Sequence, residues 1–107
     1  IAGTGDRLLV VRAQANGASA QMGDVLSAPA GTKVVVEVRV VGAPGSSISL
    51  AGDGARLAGL PDPKISGADQ TVSFDLNADG VRHWLRVDVR NANGKLILLG
   101  NPIYLRP

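Results

Sequence analysis

The chain has 107 residues, of which 14 are glycine and 6 are proline, and 45% are apolar. Because each glycine inside a helix costs about 1 kcal/mol relative to alanine, this composition excludes a long helical bundle. No stretch approaches the roughly 20 apolar residues of a membrane span, and no signal-peptide pattern opens the chain. The 11 basic and 9 acidic residues are interspersed, which does not indicate nucleic-acid binding. We expect a soluble globular domain.

The first residue is Ile1 rather than Met, so the chain is interpreted as a processed protein or a piece of a longer one. Residues 1–107 are predicted to form one domain, since the length suits a single core. The absence of cysteine excludes disulfides and thiolate metal sites but leaves the cellular compartment open.

Strand patterns follow one another along the chain. The predicted strands are Arg7 to Ala13, Asp24 to Ala28, Thr32 to Val41, Ser46 to Gly52, Gln70 to Leu76, His83 to Arg90, Lys95 to Gly100 and Pro102 to Arg106. Three of them alternate apolar and polar residues with a period of two, which is typical of half-buried strands. Their inward positions predict a core of Val34, Val36, Val38, Val40, Val72, Phe74, Leu76, Leu85, Val87 and Val89.

The same alternation in His83 to Arg90 places Trp84, Arg86 and Asp88 on the solvent side. On this basis Val87→Asp should unfold the domain, whereas Asp88→Val should be nearly neutral.

Turn signals separate the strands. Residues 77–80 (Asn-Ala-Asp-Gly) and 91–94 (Asn-Ala-Asn-Gly) share a pattern that predicts two hairpin turns, and the Leu-Pro-Asp-Pro run at 60–63 disfavours regular structure there. Seven or eight short strands with a turn every 8 to 12 residues favour an antiparallel, immunoglobulin-like β-sandwich. A small β-barrel is the alternative, since the cysteine pair of antibody domains is absent.

The sequence contains few residues that could take part in catalysis. His83 could act as a base oriented by Asp88 or Asp79, but the chain has one His, one Glu, no Cys and no nucleophile elbow. A lone His beside a turn is more often a solvated residue at a strand edge. We therefore predict no catalytic residues, no cofactor and no metal ligands.

Two motifs resemble ligand-binding loops. Residues 75–80 fit the first six positions of a calcium-binding loop, but the twelfth position, where a bidentate Glu is needed, is Arg86. The flanking patterns are strands, so a structural turn is favoured. Residues 3–6 (Gly-Thr-Gly-Asp) resemble the start of a phosphate-binding loop, yet no strand pattern precedes them and no helix pattern follows.

Trp84 is the remaining candidate for binding. Its ring, beside Arg86 and Asp88, could stack on a sugar or on a partner protein. The competing interpretation, which we favour, is that the ring lies over the Arg86 guanidinium or packs beneath a loop. With three aromatic residues in the chain, a platform of several aromatic rings cannot be built.

The last third of the chain resembles a known family. Residues 84–90 (Trp-Leu-Arg-Val-Asp-Val-Arg), the turn at 91–94, the apolar run 96–100 and Asn101, Pro102, Ile103 and Tyr104 are similar to the C-terminal ending of bacterial PHP-type metal-dependent phosphoesterases. Residues 49–54 resemble the same domain more loosely.

The resemblance implies a β-rich domain that follows the catalytic barrel, whose metal ligands lie outside this chain. We expect a non-catalytic C-terminal accessory domain that packs on the catalytic domain of its parent, with Trp84, Arg86 and Tyr104 as its interaction face. The motif from Asn101 to Tyr104 would be structural, with Pro102 bending the last strand or moving it to an edge. The alternative is a stand-alone module that binds a carbohydrate or a cell-surface protein. Substrate, oligomeric state and compartment stay open.

Overall fold

The computed structural model describes residues 2–4, 7–53, 55–56 and 63–107, with side chains for 7–53 and 63–107. These residues form eleven strands: β1 (Ala2–Thr4), β2 (Arg7–Ala15), β3 (Ala18–Gln21), β4 (Val25–Ser27), β5 (Lys33–Val41), β6 (Ser47–Gly52), β7 (Ala55–Arg56), β8 (Asp69–Asn77), β9 (His83–Arg90), β10 (Leu96–Leu99) and β11 (Ile103–Arg106). In this part of the chain no helix could span a membrane.

The strands are arranged in two sheets. The first has the order β1-β2-β5-β8, with β3 also paired to β2, and the second has the order β4-β11-β9-β6-β7, with β10 also paired to β9. All pairs are antiparallel except β4 with β11. The central trios, β2-β5-β8 and β6-β9-β11, reproduce the A-B-E and C-F-G strands of an immunoglobulin-like sandwich. The predicted fold is confirmed, and the barrel alternative is wrong.

The core lies between the sheets and is built from the inward positions of both. Eight of the ten predicted core residues are buried, whereas Val72 and Leu76 are only partly buried because β8 is the last strand of its sheet. Five large apolar residues that are fully buried were not in the predicted core: Leu9, Leu26, Ile48, Ile65 and Ile103. They lie in segments whose sequence alternates less regularly.

One of the two predicted hairpins is wrong. Residues 91–94 do join a paired hairpin, β9 with β10, and Asn91 Oδ1 accepts the N–H groups of Asn93 and Lys95, each at 3.0 Å. Residues 77–80 instead connect β8 of the first sheet to β9 of the second. The reason is that Asx-Gly chemistry fixes a local reversal of the chain but not the strand with which the next segment pairs.

The start of the chain also differs from the sequence interpretation. Gly3 and Thr4 lie in β1, paired with Leu8 and Arg7 of β2, so they belong to a sheet rather than to a phosphate-binding loop. Gly5 and Asp6 of that motif lie outside the described residues, as do Ile1, Gly54 and residues 60–62 of the proline-rich run.

Pro102 interrupts the last strand but does not move it to an edge. Both β10 and β11 pair with β9, at its two ends, and the short break at Gly100, Asn101 and Pro102 separates them. Beyond the break β11 lies between β9 and β4, so the expectation of an edge strand is wrong. The parallel pairing with β4 explains this, because it covers the other side of β11. Ile103, 1% exposed, anchors the strand in the core.

Candidate functional site

The outer surface of the second sheet carries the residues that the sequence singled out. Strand register places Tyr104 opposite both Trp84 and Val25, and Leu99 opposite Asp88, and residues directly opposite each other share a face of the sheet. The alternation along β9 adds Arg86 to the same side. We call this surface the Trp84 face; its residues are Val25, Trp84, Arg86, Asp88, Leu96, Leu99 and Tyr104.

Three side chains at alternate positions of β9 form a stack on this face. Arg86 lies over the half-buried Trp84 ring, with the guanidinium carbon 5.7 Å from the ring centroid. Arg86 also donates from Nε to Asp88 Oδ1 at 2.9 Å and from the guanidinium Nη2 to Asp88 Oδ2 at 3.3 Å. The Trp84 ring thus lies under the Arg86 guanidinium, which is one of the two arrangements given in the favoured interpretation. The stack fixes the orientation of all three side chains.

Asp88 is not the solvent-facing residue that the alternation predicts. It is 6% exposed although it points to the outer side of the sheet. The two-residue period predicts which face of the sheet a side chain points to, but not whether a neighbouring side chain covers it. Asp88 is covered because the Arg86 guanidinium lies against its carboxylate. Asp88→Val was expected to be neutral because Asp88 was predicted to be exposed. Asp88 is buried in the structure, so that reason no longer holds.

Large apolar side chains are exposed on the Trp84 face. Val25 is 49% exposed, Leu96 39%, Leu99 50% and Tyr104 43%. Tyr104 therefore lies with its ring on the outer surface and not packed inside. Apolar and aromatic side chains gathered around an ordered Arg are the composition enriched at protein interfaces.

The outer surface of the first sheet has a different character. It carries three cross-strand ion pairs: Arg12–Glu37 at 3.8 Å, Lys33–Asp75 at 3.6 Å and Arg39–Asp69 at 2.7 Å. Such exposed pairs contribute little to stability, but they show a face that is compatible with water. The two outer surfaces of the sandwich thus differ in chemistry.

A second polar cluster lies at one end of the sandwich, where His83 contacts one aspartate that follows β6 and another in the connection between β8 and β9. The His83 Nδ1 atom contacts Asp53 Oδ2, from the end of β6, and Nε2 lies 2.8 and 2.9 Å from the two carboxylate oxygens of Asp79, which follows β8. Asp53 Oδ1 accepts the Trp84 N–H at 3.0 Å, and Asp79 Oδ1 accepts the Val81 N–H at 3.0 Å. We call these three residues the His83 clamp.

The protonated imidazole suits the clamp, because only that form has an N–H for each carboxylate. Hydrogen bonds to Asp53 and then Asp79 raise the pKa of His83 above its ordinary value of 6.5. The same contacts, followed by the backbone N–H groups of Trp84 and Val81, lower the pKa values of Asp53 and Asp79. A His held in this way is half-buried and engaged on both nitrogens, unlike the solvated strand-edge residue that was expected.

The sequence identified one of the two carboxylates beside His83. Asp79 was predicted as a partner and contacts it, whereas Asp88 bonds Arg86 instead. Asp53 was missed because it lies 30 residues away in the chain. Asp53 lies at a turn directly after β6 and has a positive φ of 53°, a backbone conformation that Asp tolerates better than most residues.

Stability should depend on pH through the His83 clamp. A raised His83 pKa stabilises the fold fully below about pH 6.5 and the effect is lost as pH rises through the folded pKa. The lowered pKa values of Asp53 and Asp79 stabilise the fold above their ordinary value of 3.8 and the effect is lost as pH falls. We expect the clamp to contribute most between these two values.

Urea unfolding at pH 5.5 and pH 9 measures this effect, with His83→Gln as the control. The wild-type midpoint should fall towards pH 9, and the fall should be smaller in His83→Gln, which carries no titrating ring. Equal falls in both proteins would place the pH dependence outside the clamp.

The residues of the calcium-like motif are engaged in other contacts. Asp75 lies in β8 and pairs with Lys33, Asp79 binds His83, and Arg86 at the twelfth position bonds Asp88. Because the two nitrogens of His83 point to opposite carboxylates, the clamp does not converge on one point. In the described part of the chain no group of three His, Asp or Glu side chains could hold a metal ion.

Calcium should therefore leave the melting temperature of the domain unchanged, and so should EDTA. Differential scanning fluorimetry with and without each addition provides the measurement. A rise of several degrees with calcium would contradict the structural assignment of residues 75–80 as a strand end and connection.

Comparison with known proteins gave no match: no protein-family model, curated protein or solved structure matches the chain.

Proposed function

We propose that this chain is a non-catalytic accessory β-sandwich that packs, through the Trp84 face, on the catalytic domain of a PHP-type metal-dependent phosphoesterase in the same polypeptide. The observation that carries the proposal is the difference between the two outer surfaces. The first sheet presents paired charges to water, whereas the second presents exposed apolar side chains around a fixed Arg86.

The energetics favour docking by the Trp84 face. Leu99 and Tyr104 are about half exposed in the isolated domain, so a partner that covers them gains apolar burial worth roughly 25 cal/mol per Å². Arg86 is already held by Trp84 and Asp88, so little side-chain entropy is lost when it is covered. Trp, Tyr and Arg are also the residues that most often dominate interface energies.

The link to the phosphoesterase family rests on the sequence resemblance at 84–105. In the fold these residues form most of β9, all of β10 and most of β11, the strands that carry most of the Trp84 face. The part of the chain that resembles the family ending is therefore the part with the docking chemistry. Catalysis would remain with the parent's own barrel.

A stand-alone binding module is the second candidate. It is favoured by a groove of about 180 Å³ in which Trp84 and Tyr104 lie beside Arg82 and Arg106. An aromatic side chain next to a guanidinium can bind a sugar with an acidic group as well as a protein surface.

Removing apolar side chains from each sheet tests the docking proposal. In the full-length parent protein, Leu99→Ser with Tyr104→Ser should weaken domain packing, seen as faster amide hydrogen exchange in β9 and β11 and a larger radius of gyration in X-ray scattering. The matched control is Val10→Ser with Val35→Ser, which alters the outer surface of the first sheet.

The control pair should leave both measurements unchanged. Unfolding of each variant in the isolated 107-residue chain separates lost docking from lost folding. If the Leu99 and Tyr104 pair leaves exchange and radius unchanged in the parent, the Trp84 face is not the docking surface.

A further inference from the structure

A groove beside the Trp84 face is lined by two arginines and two aromatic side chains. It lies along the junction of β9 and β11 and is lined by Arg82, Trp84, Tyr104 and Arg106, together with Asp53, His83 and Leu105, with a volume of about 180 Å³. Arg82 and Arg106 are both exposed, and neither takes part in the ion pairs formed among the described residues.

The acidic side chain in the groove does not balance these arginines. One oxygen of Asp53 accepts the Trp84 N–H and the other contacts His83, whose pKa is raised and whose second nitrogen lies against Asp79. With His83 protonated, the clamp carries one positive and two negative charges, so it offsets at most one of the two arginines. The two guanidinium groups leave the groove with a net positive charge.

We propose that this groove receives a carboxylate side chain, Asp or Glu, of the domain that docks on the Trp84 face. The inference rests on the proposed function and adds the chemistry of the partner: an acidic group placed beside an apolar patch. The groove supplies two guanidinium groups for the carboxylate, and a docked partner would enclose the contact beside the rings of Trp84 and Tyr104, which line the same groove. Guanidinium–carboxylate bonds formed at such a partly dry site are short and directional.

A protein carboxylate fits the groove better than an acidic sugar does. A sugar would use the flat face of an aromatic ring, but the Arg86 guanidinium already lies over one face of Trp84, 5.7 Å from its centroid. The groove also continues into the exposed apolar side chains of Val25 and Tyr104, which a protein surface can cover and a hydrated sugar cannot.

Charge reversal in the full-length parent tests the inference. Arg82→Glu with Arg106→Glu should speed amide exchange in β9 and β11 by about tenfold, because like charges would then face each other in the interface. Arg82→Lys with Arg106→Lys keeps both charges and should restore most of the protection. Arg7→Glu, an exposed position of the first sheet, is the control and should change nothing.

Raising NaCl from about 50 mM to about 500 mM should loosen docking in the wild type but not in the reversed variant.

The outcomes separate this inference from the proposed function. If Leu99→Ser with Tyr104→Ser loosens docking but the charge reversal and salt do not, the face docks and the carboxylate inference is wrong. If none of these changes has an effect, both proposals fail. If a sulfated heparin octasaccharide shifts the Trp84 indole resonance of the 107-residue chain, and the reversed variant abolishes the shift, the groove is a saccharide site and the carboxylate inference is overturned.

Discussion

Val87→Asp is expected to leave the chain unfolded under native conditions. Val87 is 1% exposed in β9 and packs between the two sheets. An aspartate there either stays charged without a partner or takes up a proton, and each costs several kcal/mol. Since the whole stability of a domain this size is about 5–15 kcal/mol, the substitution removes most or all of it. Circular dichroism and the dispersion of amide NMR signals report the loss directly.

Val81→Asp is the matched control, because the chemical change is the same and the site is 60% exposed. It precedes β9 by two residues and should keep the melting temperature close to that of the wild type. A folded, cooperative Val87→Asp variant would mean that β9 does not present Val87 to the core, and that the register defining the Trp84 face is wrong.

The strands with regular alternation were predictable from sequence. The run His83 to Arg90 matches β9 at both ends, and the predicted Thr32 to Val41 differs from β5 by one residue. In both, β-branched residues at alternate positions leave one face buried, so the pattern itself fixes direction and length. The immunoglobulin-like sandwich architecture was predicted from the number and spacing of such strands, whereas the order of the strands within each sheet was not.

A hairpin near the start was missed although its signal is present. Asn16 and Gly17 both have positive φ, 50° and 77°, and join β2 to β3. An Asn-Gly pair with this geometry is the preferred two-residue hairpin turn. The strand after it, Ala18–Gln21, has no β-branched residue or aromatic ring, so pairing with β2 rather than its own sequence makes it a strand.

The His83 clamp could be anticipated only in part. His83 and Asp79 are four residues apart, so their contact is local and depends only on the conformation of the short connection between them. Asp53 reaches His83 because β6 and β9 pair in register, with Gly52 opposite Leu85. That register is a property of the assembled sheet, and no local pattern around Asp53 specifies it.

Asp88→Val is expected to destabilise the domain, in contrast to what alternation alone predicts. Asp88 accepts two hydrogen bonds from Arg86, and the side chains are 8% and 30% exposed respectively. Loss of the carboxylate leaves a half-buried guanidinium without its partner. Because water still reaches part of Arg86, we expect a cost of about 1–3 kcal/mol, below that of breaking a fully buried pair.

Replacing both partners should recover much of this stability. In Arg86→Met with Asp88→Val no charge is left without a partner, and methionine keeps a flexible apolar chain against Trp84, so we expect a free energy of unfolding within about 1 kcal/mol of the wild type. Urea unfolding of the two single variants and the double variant gives the coupling energy directly.

The control is Asp75→Val, which removes the carboxylate of an exposed pair with Lys33, where the side chains are 65% and 64% exposed. Its expected effect is within about 0.5 kcal/mol, since exposed pairs are screened by water. If Asp88→Val costs no more than Asp75→Val, Arg86 is not held by Asp88. In the proposed docking, Arg86 would then be a mobile guanidinium, and the entropic advantage of an ordered Arg86 would be lost.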